Sequence, residues 1–345
     1  MFKVLNFKNA LVVTIVIMLA GVMTIFPSAC VSGAKEGLYL SLFTVFPSVF
    51  PFMVLSRYIT LSGIISIRGK FADKISRFLF SMPSEALMPF ILGTVSGYPT
   101  GAAVICDMVD KKIITTDEGE HLLPFCNNCS PLFIIGTVGS VIIKNTSVGY
   151  TLFIIHITSA ILTGMILKRH TPYSLCRSDT YVIPKTLNAF TTAVSSSVSA
   201  MMNICGYITL FSVITKIITL ADERYGFLCG FLEMTNGITN IVSFNIPVSL
   251  KLAVISFFMG FSGICVLLQI WDFTAKRKMS MRKYFTGKLI SGIISFVITL
   301  AVFSSNETVS VFNPCVQNNS SMLSAFSVVL LLLTILMLSL KNRLN

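Results

Sequence analysis

Two short clusters in this chain combine helix breakers with polar side chains inside apolar sequence. They are Gly97-Tyr98-Pro99-Thr100-Gly101 and Asn127-Asn128-Cys129-Ser130-Pro131. A third set, Glu233, Thr235 and Asn236, lies in an apolar segment broken by Gly230, Gly237 and Asn240. Such residues suit recognition of a small polar solute. A broken helix exposes backbone N–H groups at its half-helix N-termini, where partial positive charge suits carboxylates and other anions. Asn127 and Asn128 add amide donors and acceptors, Ser130 a hydroxyl, and Tyr98 a phenol and a ring for stacking. Pro131 can open a half-helix, because no N–H is needed there. Glu233 is the only acidic residue deep in an apolar segment, and an intramembrane carboxylate is a functional candidate by default. It could take a coupling proton or cation, or a polar group of the solute. The candidate substrate-binding residues are therefore Gly97, Tyr98, Pro99, Thr100, Gly101, Asn127, Asn128, Ser130, Glu233, Thr235 and Asn236. Plainer roles compete with this one. The Asn residues could simply join helices, and Glu233 could be satisfied by Asn236 or a neighbouring helix.

Other polar residues point away from chemistry. No HExxH, GxSxG or Walker loop occurs, and no His, Asp and Ser grouping has useful spacing, so an enzyme is the least favoured class. No cofactor or metal is implied. His156 reads as a packed, hydrogen-bonded residue; His121 and Glu120 read as interfacial; Asp107, Asp110, Lys111 and Lys112 read as a solvated rim. The 9 Cys are scattered without CxxC pairs and suit burial as small apolar residues.

The elements that must position these clusters are membrane helices. The 345 residues are 54% apolar and only 12% charged, and the mean hydropathy is +0.83. These values exclude an ordinary soluble globular class and indicate a polytopic protein in a lipid bilayer. The formal net charge of +12 collects in short loops between apolar runs, which fits positive-inside topology rather than nucleic-acid binding. Lys3 and Lys8 precede an apolar run from Ala10 to Pro27. A signal peptide with a poor lipobox at Ala29-Cys30 is one reading, and a retained first span is preferred. Lys35 and Glu36 mark a short external loop. The next span, Leu38 to Leu55, holds Pro47 and Pro51, which either kink it or face it to a cavity.

The segment Leu87 to Cys106 is long enough for one span, but Gly97 to Gly101 divide it into arms too short to cross ~30 Å. A re-entrant hairpin is the alternative to a full span. Charge favours the hairpin, because the basic loops Arg57 to Pro83, Lys168 to Lys185 and Lys276 to Lys288 then all fall inside. Phe227 to Phe244 reads as a second hairpin. The expected fold is an all-α polytopic membrane protein of about eight transmembrane helices plus two re-entrant helical hairpins. Each half runs kinked span, hairpin, broken span, span, with the hairpins entering from opposite sides as an inverted-topology repeat requires. The expected divisions are 1–37 (first helix and external loop), 38–167 (first repeat), 168–187 (basic cytoplasmic loop), 188–304 (second repeat) and 305–345 (external loop and last helix, Met322 to Leu340). Oligomeric state, coupling ion and transport direction are left open, and an oligomer is allowed.

Phe46-Pro47-Ser48 with Phe50-Pro51-Phe52, Gly97-Tyr98-Pro99-Thr100-Gly101-Ala102 and Asn127-Asn128-Cys129-Ser130-Pro131-Leu132-Phe133 together resemble the YlbJ (SpoVV) family of sporulation integral membrane proteins. The likeness covers most of the chain and is strongest between residues 40 and 140. It implies nucleoside-recognition (Gate) domains, similar to the hairpin core of concentrative nucleoside transporters. It also implies a place in the outer forespore membrane of a spore-forming bacterium. The implied activity is movement of dipicolinic acid, a small planar aromatic dicarboxylate, from mother cell towards forespore. Hairpin N-termini, Asn amides and the Tyr98 ring would suit such an anion. A transporter of nucleosides or another small organic anion, and a non-transporting spore-envelope assembly protein, are the alternatives.

Overall fold

The computed structural model describes residues 7–62, 67, 69–168 and 186–304. The expected last span, Met322 to Leu340, and most of the 168–187 loop lie outside the described residues. Among the described residues the structure is helical and without strands. Lipid demands this, since a helix satisfies its backbone polar groups within one segment.

Helix α1 covers Phe7–Ile25 and α2 covers Pro27–Leu40. A π-helical stretch, Ser41–Val45, joins α2 to α3, Phe46–Ser62, so that Pro27–Ser62 is one run of 36 residues. Lys35 and Glu36 therefore lie inside a helix, not in an external loop as expected. The short helix α4 (Lys70–Phe80) is amphipathic. Its Asp73 accepts the Ser84 backbone N–H at 2.9 Å, which together with Arg77 holds that carboxyl below its ordinary range. Next come α5 (Leu87–Ser96) and α6 (Thr100–Asp110), then α7 (Thr116–Cys126), a π-helical segment Leu132–Ile142, and α8 (Thr146–Ile166). Thr115 and Glu118 form a capping box that starts α7.

The same order then recurs. Helix α9 (Thr186–Ala221) is followed by two short helices, α10 (Gly226–Leu232) and α11 (Met234–Ser243). Then α12 (Val248–Phe261) and α13 (Gly263–Ala275) meet at Ser262, and α14 (Arg282–Ser304) closes the described chain. Unlike the Pro-containing run in the first half, α9 is one unbroken helix of 36 residues, so no kink matches Pro47 and Pro51 there.

Five helical runs among the described residues are long and apolar enough to cross a membrane: Pro27–Ser62, Thr146–Ile166, Asn188–Ala221, Val248–Ala275 and Arg282–Ser304. The Thr116–Cys126 and Leu132–Ile142 pieces add a broken pair with the unwound Asn127–Ser130 between them. The protein is thus an all-α polytopic membrane protein.

Charged pairs define the two ends of the bundle. Glu36 on α2 pairs with Lys216 on α9 at 2.6 Å. Arg57 on α3 pairs with Asp107 on α6, and its Nε donates to Ser196 on α9. The two levels are about 21 residues apart along one helical run, roughly 31 Å at ~1.5 Å per residue. That matches the ~30 Å hydrocarbon core. At the Arg57 end, Arg277 pairs with Asp110, Lys283 with Asp117 at 2.7 Å, and the Ser280 N–H donates to Glu120 at 2.7 Å. Asp107 and Asp110 are not an idle solvated rim. They fasten the base of the α5–α6 hairpin to α3 and to the turn between α13 and α14.

Both hairpins close on glycine. Gly93 on α5 and Gly101 on α6 press against the same carbonyl oxygen, that of Cys126, and a Cβ on either would overlap it. In the second hairpin a Cβ on Gly237 would overlap the Gly230 backbone. Gly206 on α9 faces open space, with nothing within 4 Å of such a Cβ. We therefore expect Gly101→Ala and Gly237→Ala each to destabilise the protein by about 1–3 kcal/mol or to block folding, because the facing backbone cannot repack. Gly206→Ala should be neutral or slightly stabilising. Thermal unfolding of the detergent-purified variants checks this.

Candidate functional site

Four interruptions of helix meet in the interior. The first is the hairpin tip at Gly97-Tyr98-Pro99, where Gly97 has φ +81°. The second is Asn127–Ser130 between α7 and the π-helical segment. The third is Glu233, between α10 and α11, and the fourth is Ser262, in a left-handed conformation between α12 and α13. Each hairpin tip sits against the break that follows it. A Cβ on Gly97 would approach the Ser130 side chain at 3.0 Å, and one on Gly263 would approach the Leu232 carbonyl oxygen at 3.1 Å.

The two halves also cross. The Tyr98 hydroxyl donates to the Met259 carbonyl at 3.0 Å and bonds the Ser262 hydroxyl. The Cys129 sulfur lies 3.7 Å from the Met259 carbonyl oxygen and 3.9 Å from the Met234 sulfur. Break one thus touches hairpin two, and hairpin one touches break two.

These contacts surround a small cavity of about 50 Å³. Gly97, Tyr98, Ser130, Glu233 and Thr235 from the expected site residues line it. Its remaining wall is mostly apolar, from Val45 and Val49 on the first long run, Ile204 and Ile208 on α9, and Val266 on α13. Gln269 adds a buried amide. An apolar pocket with a few converging polar groups is the usual form of a small-molecule site.

The other expected residues serve the frame. Asn127 accepts the Ala102 N–H at 2.7 Å and donates to the Leu123 carbonyl at 2.8 Å. It thereby caps α6 from across the hairpin and completes the last turn of α7. Asn128 donates to the Phe125 carbonyl at 2.9 Å and to Thr94 at 3.1 Å. Pro99, Thr100 and Gly101 form the first turn of α6 and are buried against their neighbours. Asn236 was expected to face a common cavity. Its amide instead donates to Ser212 and Thr215 on α9, at 2.9 and 3.2 Å.

Glu233 is doubly placed. It lines the cavity, and its carboxylate accepts the Thr235 N–H at 3.1 Å and the Asn236 N–H at 2.7 Å. It is the N-cap of α11, so this half-helix N-terminus is already occupied by the chain's own anion. Ser130 plays a lesser version of that part, accepting the Phe133 N–H at 3.2 Å. His156 is fully buried on α8, where its Nε2 accepts the Cys129 N–H at 3.0 Å, as a packed and bonded histidine should.

One residue escaped the sequence reading. Lys288 was grouped with the basic loop, but the loop ends where α14 begins, at Arg282. Lys288 lies almost two turns inside α14 and is 1% exposed. Its Nζ donates to the Asn127 carbonyl at 2.8 Å and stands 5.3 Å from the centre of the Tyr98 ring. A signal was present. Tyr284, Lys288, Ser291, Ser295 and Thr299 recur at helical spacing, marking one polar face of an otherwise apolar segment.

The chain is 26% identical to the sporulation integral membrane protein YlbJ of Bacillus subtilis, over 80% of this chain and 78% of that one. No protein-family model matches the chain, and no solved structure matches it. The chain is therefore an integral membrane protein related to a sporulation protein.

Asn127 carries most of the first junction. We expect Asn127→Ala to cost about 2–3 kcal/mol, since it leaves the Ala102 N–H and the Leu123 carbonyl buried without their partner. Loss of thermal stability before any change in ligand binding would be the sign. Unchanged unfolding of the purified variant would contradict this framing role.

Proposed function

We propose that this protein is a secondary transporter of small organic anions, acting in sporulation, with dipicolinic acid as the substrate to test first. The observation that carries the reading is the cavity lined by two hairpin tips and the first helix break, with α13 completing its wall. Non-helical backbone at membrane depth is tolerated only where protein or a water-filled cavity covers it, and paired interruptions in two halves of a chain are the mark of a transport site.

The order of elements supports an alternating-access design. Each half contributes one long run, one hairpin, one broken pair and one further span. A hairpin enters and leaves on one side, so each half crosses the membrane three times. An odd number of crossings makes the second half upside down with respect to the first. The proposed Gate-like repeats, 38–167 and 188–304, fit that count once the first is extended back to Pro27, where its long run starts. The Arg57 end of the bundle, rich in Lys and Arg, would face the cytoplasm. The resemblance to the YlbJ family is what suggests the outer forespore membrane, with transport from mother cell to forespore. A transporter needs no catalytic set, and a coupling proton or cation would find its natural seat at Glu233.

One observation favours a second reading. The Glu233 carboxylate and the Gln269 amide in the cavity wall suit the hydroxyl and amide groups of a nucleoside, whereas a carboxylate opposes a dianion. Uptake into proteoliposomes separates the two. Labelled dipicolinate should accumulate at least tenfold above protein-free vesicles, and labelled uridine should not. The reverse result makes this a nucleoside transporter, and no uptake of either leaves an envelope-assembly role. In cells, deletion of the gene should give spores poor in dipicolinate while the mother cell still makes it. Normal spore dipicolinate would refute the transport reading.

A further inference from the structure

Among the described residues Lys288 has no counter-ion. Its Nζ donates to the Asn127 carbonyl, the Tyr98 ring lies beside it, and the Cys129 thiol and the His156 imidazole, neither of them an anion, are its titratable neighbours. The ion pairs formed by described residues all lie elsewhere, at the two ends of the bundle. Asn127 closes α7, so the end of that helix supplies a partial negative charge of ~0.5 at most. A buried ammonium with only that compensation is costly, and such residues inside a membrane mark ion or substrate sites.

Its position relative to the cavity is defined by Tyr98. The same ring that lies beneath Lys288 also lines the cavity, and its hydroxyl reaches across to hairpin two's partner break at Ser262 and Met259. Cys129 and Ser130, two and three residues after Asn127, line the cavity as well. The Lys288 charge is thus set one side chain behind the cavity wall, where water screens it little.

The geometry points to Lys288 as the residue that makes this site select carboxylates. Its ammonium, held behind the wall by the Asn127 carbonyl and the Tyr98 ring, is the through-space counter-charge for an organic anion in the cavity. This rests on the reading of the cavity as a substrate site, and it assigns the charge preference of that site to one side chain. Lys288 offsets Glu233, whose own charge is already engaged by the α11 N–H groups.

The test compares an anion with its neutral counterpart of the same shape. Calorimetry on the purified protein in lipid nanodiscs would measure binding of pyridine-2,6-dicarboxylate and of pyridine-2,6-dicarboxamide. The wild-type protein should prefer the dicarboxylate by at least tenfold. Lys288→Met should abolish that preference while leaving dicarboxamide affinity within about threefold, and Lys288→Arg should keep it. A wild-type protein with no preference for the dicarboxylate overturns the proposal, whether or not the variants fold. So does a Lys288→Met protein that retains the preference. Vesicle uptake distinguishes this from the transport reading: selective binding that depends on Lys288, without uptake, removes the transporter and leaves the Lys288 assignment standing.

Discussion

Backbone polar groups have no water to bond within a bilayer, and four interruptions of helix in this protein must each answer for theirs. The answers are local and specific. Asn127 accepts the Ala102 N–H, Ser130 the Phe133 N–H, and Glu233 the Thr235 and Asn236 N–H groups. His156 takes the Cys129 N–H. The Asn127 and His156 solutions each need a second segment at close range, which draws the first break against α6 and α8. The cavity follows from the same requirement. Once four unwound stretches converge, helices cannot fill the space between them completely.

The convergence also ties the two halves into one core. Tyr98 is the central link, since it joins the first hairpin to the second broken pair and supports Lys288 from the last described helix. A motion that separated the halves would break the Tyr98–Ser262 bond and the packing of Cys129 against Met234 together. The ion pairs of Asp107 and Asp110 hold the base of the first hairpin at one membrane face.

Much of this was legible from residue types. Gly97, Pro99, Asn127, Pro131 and Glu233 break apolar runs so plainly that both hairpins and the first broken pair can be placed from them. What was not legible was the direction of the side chains. Asn127 and Asn236 are polar residues beside a cavity, and nothing in their spacing tells whether they face it or face the chain. The structure turns both towards the frame. Lys288 failed for a different reason. Its charge was grouped with its sequence neighbours Arg282 and Lys283, while its burial depends on where α14 starts. Lys35 and Glu36 failed likewise: a charged pair after an apolar run reads as a loop, yet Glu36 is satisfied on a helix by Lys216 far along the chain.

The central claim is that hairpin two and break one meet in the membrane interior. A Met234→Cys variant, with every cysteine except Cys129 replaced, tests it most directly, because the Cys129 and Met234 sulfurs are 3.9 Å apart. In native membranes a short bifunctional thiol reagent should join the two cysteines within one chain, giving a cross-linked peptide pair by mass spectrometry. A cross-link that forms only after the protein is denatured, or never, would contradict the account.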